Sequence, residues 1–355
     1  MSKTQDYIVE RLGIGEVLAH ARNKTVPKHE YSFWYYWGGI SLFCFLVQLV
    51  SGILLLLYYR PGPEAYDSVR QITYETHFGW LIRSVHNWSA SLFLASVFIH
   101  MFSVFFMKAY RSPREFGWFT GLGLLGIGML FGFSGYLLPM DTLAYFATKV
   151  GLDIPSSIPI VGPPIANLIR GGLEVGEFTV QRFFTLHAVI LPLLFLPLLG
   201  LHLWLVQKHG NAVPPGEETK PVAERKSIPF FPNFVAKDLA MWLITLNVIA
   251  LLAALFPWQL GEMSDPLGSA PVGIHPEWYF MSQFQTLKVF GKLFPGYAGE
   301  ALGMTLFTVG IALWALIPFY DIRGAASSRA KKATYFGIAV ITFTIVMTVW
   351  GYLSV

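Results

Sequence analysis

Residues 79–108 read GWLIRSVHNWSASLFLASVFIHMFSVFFMK, an apolar run that holds two histidines, His86 and His100. They are 14 residues apart. Four turns of an α-helix take about 14.4 residues, so both imidazoles leave nearly the same face of one helix. They stand roughly 21 Å apart along its axis, most of the way across a hydrocarbon core about 30 Å thick.

Residues 178–208, FTVQRFFTLHAVILPLLFLPLLGLHLWLVQK, repeat the arrangement with His187 and His202, 15 residues apart. One spacing falls about 40° short of four turns and the other about 60° beyond. Two such helices side by side face four imidazoles inward in two layers, one histidine per helix in each. Two imidazoles on opposite sides of a planar macrocycle make a six-coordinate haem. The pattern therefore predicts two non-covalent b-type haems.

The rest of the composition agrees with burial in lipid. The chain is 54% hydrophobic and 13% charged, against about 25% charged in average proteins. Its mean hydropathy is +0.52. A pI near 9.0 then speaks of membrane topology and not of nucleic acid. The one cysteine, Cys44, lies inside an apolar run, so no disulfide forms within the chain. No C-x-x-C-H is present to attach haem covalently.

Seven spans are expected, at about 33–58, 79–108, 115–138, 178–208, 236–257, 299–319 and 333–353. The proline-rich segment 139–177 reads as a hairpin lying on the membrane surface. Residues 60–78 and 257–298 read as loops. The fold class is all-α: a dihaem four-helix bundle over 1–209, a linker over 210–233, and a three-helix C-terminal domain over 234–355. Lys and Arg in the connecting segments, with Lys108 and Lys208 counted in the turns that follow their spans and Arg83, Arg182 and Lys237 left out, divide 16 to 6 in favour of the side that holds the N-terminus. That side is expected to be the negative, cytoplasmic one. Spans two and four then run in the same direction. This places His86 and His187 together near the positive side and His100 and His202 together near the negative side.

Haem between helices needs room. Gly38 and Gly52 in the first span are 14 residues apart, and so are Gly121 and Gly135 in the third. Small-residue helix packing is the plainer reading. The spacing shared with the histidines favours glycines that admit the porphyrin. Arg83 and Arg182 lie just outside His86 and His187, and Arg114 begins the third span; each is a candidate partner for a haem propionate. His275-Pro276-Glu277-Trp278-Tyr279 lies in a positive-side loop. A carboxylate beside aromatics near lipid suits quinol oxidation, because a quinol must lose two protons and a positioned Glu accepts one.

Taken together, these residues resemble cytochrome b of the bc-type quinol:cytochrome c oxidoreductases. The likeness is greatest to the plastid-type arrangement, cytochrome b6 followed by subunit IV, here joined in one chain. It is carried by F-G-W-L-I-R-S-V-H (78–86), the His187 and His202 spacing, S-G-Y-L-L-P (134–139), I-P-I-V-G-P-P (158–164) and P-E-W-Y (276–279). The resemblance implies that His86 and His187 bind the low-potential haem and His100 and His202 the high-potential one. It implies that Tyr136, Glu277 and Tyr279 border the quinol oxidation site with the hairpin around 140–165. For the negative-side quinone site, His20, Lys208, His209 and Asp238 are candidates.

Implied partners are a Rieske iron–sulfur protein, a membrane c-type cytochrome or plastocyanin-like acceptor, quinol and quinone, the lipid membrane, and a second copy of the complex in a homodimer. Implied activity is proton-translocating quinol oxidation in a bacterial inner or thylakoid-like membrane. The sequence departs from the family in three places. Tyr36-Trp37 replaces the cysteine before Gly38-Gly39, so no thioether-linked extra haem is expected, and a non-covalent one is left open. Leu138-Pro139-Met140-Asp141 replaces L-P-W-D. The spans number seven, without the eighth of mitochondrial members. A dihaem membrane anchor of a dehydrogenase is the alternative; it has no need of the hairpin and the P-E-W-Y loop. A transporter with histidine proton relays is a further rival, one that would bind no haem.

Overall fold

Apolar runs long enough to cross a bilayer form helices because no lipid-exposed backbone group can be left unpaired there. The computed structural model describes residues 22–156, 162–322 and 327–354, with a few positions before them. Among these, seven helical segments are long and apolar enough to span. The first is α1, Tyr36–Leu56. A short helix α2, Ala65–Tyr74, lies in the segment read as a loop and leads into α3, Gly79–Phe106. Helix α4 covers Glu115–Leu137.

The expected surface hairpin is two helices, α5 over Thr142–Ser156 and α6 over Gly162–Arg170. Part of the I-P-I-V-G-P-P motif, 158–161, lies outside the described residues. Asp141 starts α5 by accepting the Ala144 amide at 2.9 Å, as an N-cap does.

Helix α7 runs over Glu177–His209 and ends at Gly210, whose φ of +67° suits glycine after a helix C-terminus. Its course contains one wide turn, Leu186–Ile190, in which the Leu191 amide reaches the Leu186 carbonyl five residues back. Pro192 follows directly. A proline ring crowds the carbonyl four residues behind it and offers no N–H, and a π-turn relieves both conflicts. That turn takes up one extra residue. The 15-residue spacing in α7 thereby comes into step with the 14-residue spacing in α3.

The linker folds back to the N-terminal region, where Ser227–Pro229 pairs antiparallel with Thr25–Pro27. Helix α8, Val235–Leu255, follows. The expected loop 257–298 contains a helix, α9, Trp278–Leu293. The last spans are α10, Tyr297–Ala315, and α11, Ser328–Leu353.

Helix α1 packs along α3, and α4 along α7; α8 lies against both α1 and α3. Helix α9 packs on both α10 and α11. Close approach in the bundle rests on small polar residues, as membrane helices require. Ser41 Oγ donates to Ser96 Oγ at 3.0 Å and Gln48 Nε2 to Ser89 Oγ at 2.5 Å. Leucines such as Leu193 and Leu194 are exposed on the outer face, which lipid covers.

The C-terminal spans are locked to the bundle by charge. Asp321 is fully buried and takes three guanidinium contacts from Arg111, the shortest 2.9 Å, and the Tyr110 hydroxyl at 2.6 Å. Lys108 Nζ stands 3.7 Å from the same carboxylate. This ties the α3–α4 turn to the segment between α10 and α11.

Candidate functional site

The four intramembrane histidines converge in two pairs. The ring centres of His86 and His187 lie 6.3 Å apart. A metal about 2.0–2.1 Å from each imidazole nitrogen needs nearly this separation once the rings' own half-widths are added.

All four spaced glycines lie against histidines. A Cβ at Gly135 would come 2.8 Å from His187 Cε1, one at Gly38 3.0 Å from His100 Cε1, and those at Gly52 and Gly121 3.3 Å from Cε1 of His86 and His202. Each glycine thus makes room for the outer edge of one imidazole.

Hydroxyl groups orient three of the rings. Ser51 Oγ lies 2.9 Å from His86 Nδ1, Thr120 Oγ1 2.9 Å from His202 Nδ1 and Ser134 Oγ 3.2 Å from His187 Nδ1. Each hydroxyl donates its own hydrogen to the carbonyl four residues back, Val47, Phe116 and Leu130 respectively. Each must therefore accept from the imidazole, which fixes the hydrogen on Nδ1 and leaves the Nε2 lone pair free. His187 Nδ1 also faces the Phe131 carbonyl at 3.1 Å, which can only accept. Such partners set the tautomer of a metal-binding histidine. The donor set fits a bis-histidine haem in each layer.

These hydroxyls were missed in the sequence, although a signal was there: each stands directly before one of the spaced glycines, as Ser51-Gly52, Thr120-Gly121 and Ser134-Gly135. The fourth glycine follows Trp37. Correspondingly, His100 Nδ1 is buried with no hydrogen-bond partner among the described residues.

Between the two layers lies a phenylalanine cluster. Phe93 is seven residues from either α3 histidine, and Phe45 seven from Gly38 and from Gly52. Phe195 of α7 lies tilted against Phe45 at 4.4 Å and meets Phe93 at 6.2 Å. The 14-residue repeat therefore carries an apolar filler at its midpoint.

Tyr136, Glu277 and Tyr279 line one cavity of ≈ 300 Å³, together with Phe133, Ala147 and Phe280. The hairpin and the P-E-W-Y loop meet there because Asp141 pairs with Met263 and the Thr142 amide donates to the Glu262 carbonyl. Met140 takes a φ of +53° at this corner, so the altered L-P-M-D motif still turns the chain into the hairpin. Glu277 stands at the N-cap of α9, yet its side chain makes no capping bond; the carboxylate is left to the cavity. Burial raises its pKa, and His275 partly offsets this. Tyr279 is also pushed up by burial. Gly132 lets the Tyr279 ring and hydroxyl lie on the α4 backbone.

The remaining candidates are more scattered. Arg83 is buried and donates to the carbonyls of Trp258 at 2.7 Å and Gln259 at 3.4 Å, which leaves others of its five N–H groups. Arg182 is exposed and lies against Gly171. Arg114 donates to the carbonyls of His209 and Gly210 at 3.2 Å each, closing the end of α7. Lys208 sits over the Trp204 ring. Asp238 is packed against Gly39, with Oδ1 buried and unpartnered among the described residues. Among the described residues, no hydrogen bond or ion pair joins Lys208, His209 and Asp238. His20 lies outside the described residues. Beside Gly39, Tyr36 stacks on Phe234 at 4.9 Å.

Comparison with known proteins accords with this geometry. Residues 21–210 match the profile of cytochrome b/b6/petB, and residues 263–355 that of cytochrome b (C-terminal)/b6/petD. The chain is 45% identical over 336 residues to a cytochrome bc complex cytochrome b subunit of Chlorobaculum thiosulfatiphilum, covering 94% of this chain and 77% of that protein. It is similar to a solved chain of a hyperthermophilic respiratory Complex III, with a TM-score of 0.80 and 28% identity over 98% of this chain and 99% of the other. With its histidine pairs, the seven apolar spans among the described residues and these matches to both halves, the chain belongs to the cytochrome b/b6 family.

Proposed function

We propose that this chain is the cytochrome b subunit of a bc-type complex that oxidises quinol near the positive side and reduces quinone near the negative side. One observation carries the reading: Tyr136, Glu277 and Tyr279, from opposite halves of the chain, line a single cavity. Its walls are mainly apolar and a carboxylate faces inward, as a quinol's ring and hydroxyl require.

His86 with His187 and His100 with His202 would hold two haems, each set by its Nε2 atoms. Bound there, haem supplies one-electron acceptors at two depths. The chain's own residues do the remaining work. The glycines and hydroxyls hold the rings, the phenylalanine cluster keeps water from the space between layers, and Glu277 takes a proton from the quinol hydroxyl. Arg83 and Arg182 lie on the side where propionates of the outer haem would need cations. Asp238 and Trp242, each with a buried polar atom lacking a partner among the described residues, are the groups we assign to the inner quinone site.

The Lys and Arg bias supports a cytoplasmic N-terminus. One of the two quinol electrons goes to an iron–sulfur partner and then to a c-type acceptor, within a dimeric complex. The test is a haem assay with quinol-driven reduction on the purified complex. Two non-covalent b-type haems per chain, reducible by a quinol, are expected. Fewer than two haems, or no response to quinol, would overturn the reading.

A further inference from the structure

We propose that His275 carries the proton received by Glu277 out of the quinol cavity to the positive-side water. The inference rests on reading that cavity as the site of quinol oxidation.

His275 and Glu277 flank Pro276 and line the same cavity. The His275 ring is held from two directions. Its Nδ1 lies 3.0 Å from the Pro276 carbonyl oxygen, and Tyr352, in the last turn of α11, meets it edge-on with ring centres 5.1 Å apart. A carbonyl oxygen only accepts, so Nδ1 keeps its hydrogen and Nε2 presents a lone pair. His275 is half-buried, so it touches both the cavity and its outer edge.

The titratable groups around it are Glu277 on the same loop, Tyr279 on α9, Tyr136 on α4, Tyr352 on α11 and Asp141 at the start of the hairpin. Phenols ordinarily release a proton only near pH 10, too reluctantly for a relay. An imidazole takes a proton from a carboxylic acid and yields it to water in the neutral range. In the step, the quinol hydroxyl gives its proton to the Glu277 carboxylate. The resulting acid passes it to His275 Nε2, which restores the carboxylate, and the imidazolium releases it to water.

The test uses the purified complex with His275→Ala, His275→Gln and Glu277→Gln. Quinol oxidation is measured across pH, with haem content as the control for assembly. The relay predicts a fall of roughly a hundredfold in both His275 variants, the lower end of the range for general acid–base groups. It further predicts an altered pH profile, full haem content, and partial recovery of His275→Ala by added imidazole. Gln keeps a polar side chain but carries no proton, so a wild-type rate and profile in His275→Gln overturns the relay, as does an unchanged His275→Ala. If Glu277→Gln slows oxidation while the His275 variants do not, the relay alone fails. If Glu277→Gln has no effect either, the reading of the cavity fails with it.

Discussion

Gly135 and His187 stand so close that a β-carbon on the glycine would come 2.8 Å from the imidazole Cε1. Real Cβ contacts at that distance are essentially never seen, and the ring is held by Ser134 and Phe131, so it cannot simply retreat. Gly135→Ala should displace His187 and strip the outer haem. Gly38→Ala, at 3.0 Å, should be intermediate, and Gly52→Ala and Gly121→Ala, at 3.3 Å, the mildest. Gly117→Ala and Gly126→Ala, with nothing within 4 Å, should leave haem in place. Reduced-minus-oxidised spectra read this order directly; equal effects at Gly135 and Gly126 would refute it.

Ser51→Ala and Thr120→Val remove the acceptors that fix His86 and His202. Loss of such an outer partner typically costs about 10–100-fold in metal affinity. Haem loss to an apo-haem acceptor should accelerate by that order, from the outer layer for Ser51 and from the inner layer for Thr120. An unchanged rate of haem loss would show that the hydroxyls do no orienting.

On the proposed reading, Glu277 accepts the quinol proton only when ionised. Burial raises its pKa, so the fraction able to accept a proton falls as pH drops, and does so at a higher pH than for a carboxylate in water, whose pKa is about 4.3. Quinol oxidation should therefore rise with pH through that raised value. Glu277→Gln should lower the rate and remove this limb while both haems remain. A pH–rate profile of the variant that keeps the same acid limb would assign it to another group.

Asp321 is the anion against which buried Arg111 and Lys108 are set. Removing one partner of a buried pair costs about 3–5 kcal/mol, because a buried charge is left alone. Asp321→Asn should lower the thermal stability of the complex and loosen α10 and α11 from the bundle. A variant that melts with the wild type would mean that the network contributes little.

How much of this was legible in the chain follows from what is local. The spans and the common face of His86 and His100 depend only on helix pitch and apolar length, which any stretch carries in its own residues. The matching glycine spacing was visible for the same reason, although what each glycine faces was not. The helices Ala65–Tyr74 and Trp278–Leu293 were hidden because segments that do not span lack the continuous apolar run that marks a membrane helix.

Sequence alone determined the seven membrane spans and the spacing of the four histidines along two of them, because periodicity is a property of one helix at a time. Tertiary structure decided the rest. It set the wide turn before Pro192 that brings His187 into step with α3, chose which hydroxyl meets which Nδ1, and brought Tyr136 to Glu277. These depend on how separate helices pack, and packing is settled by shapes that meet only when the chain has folded.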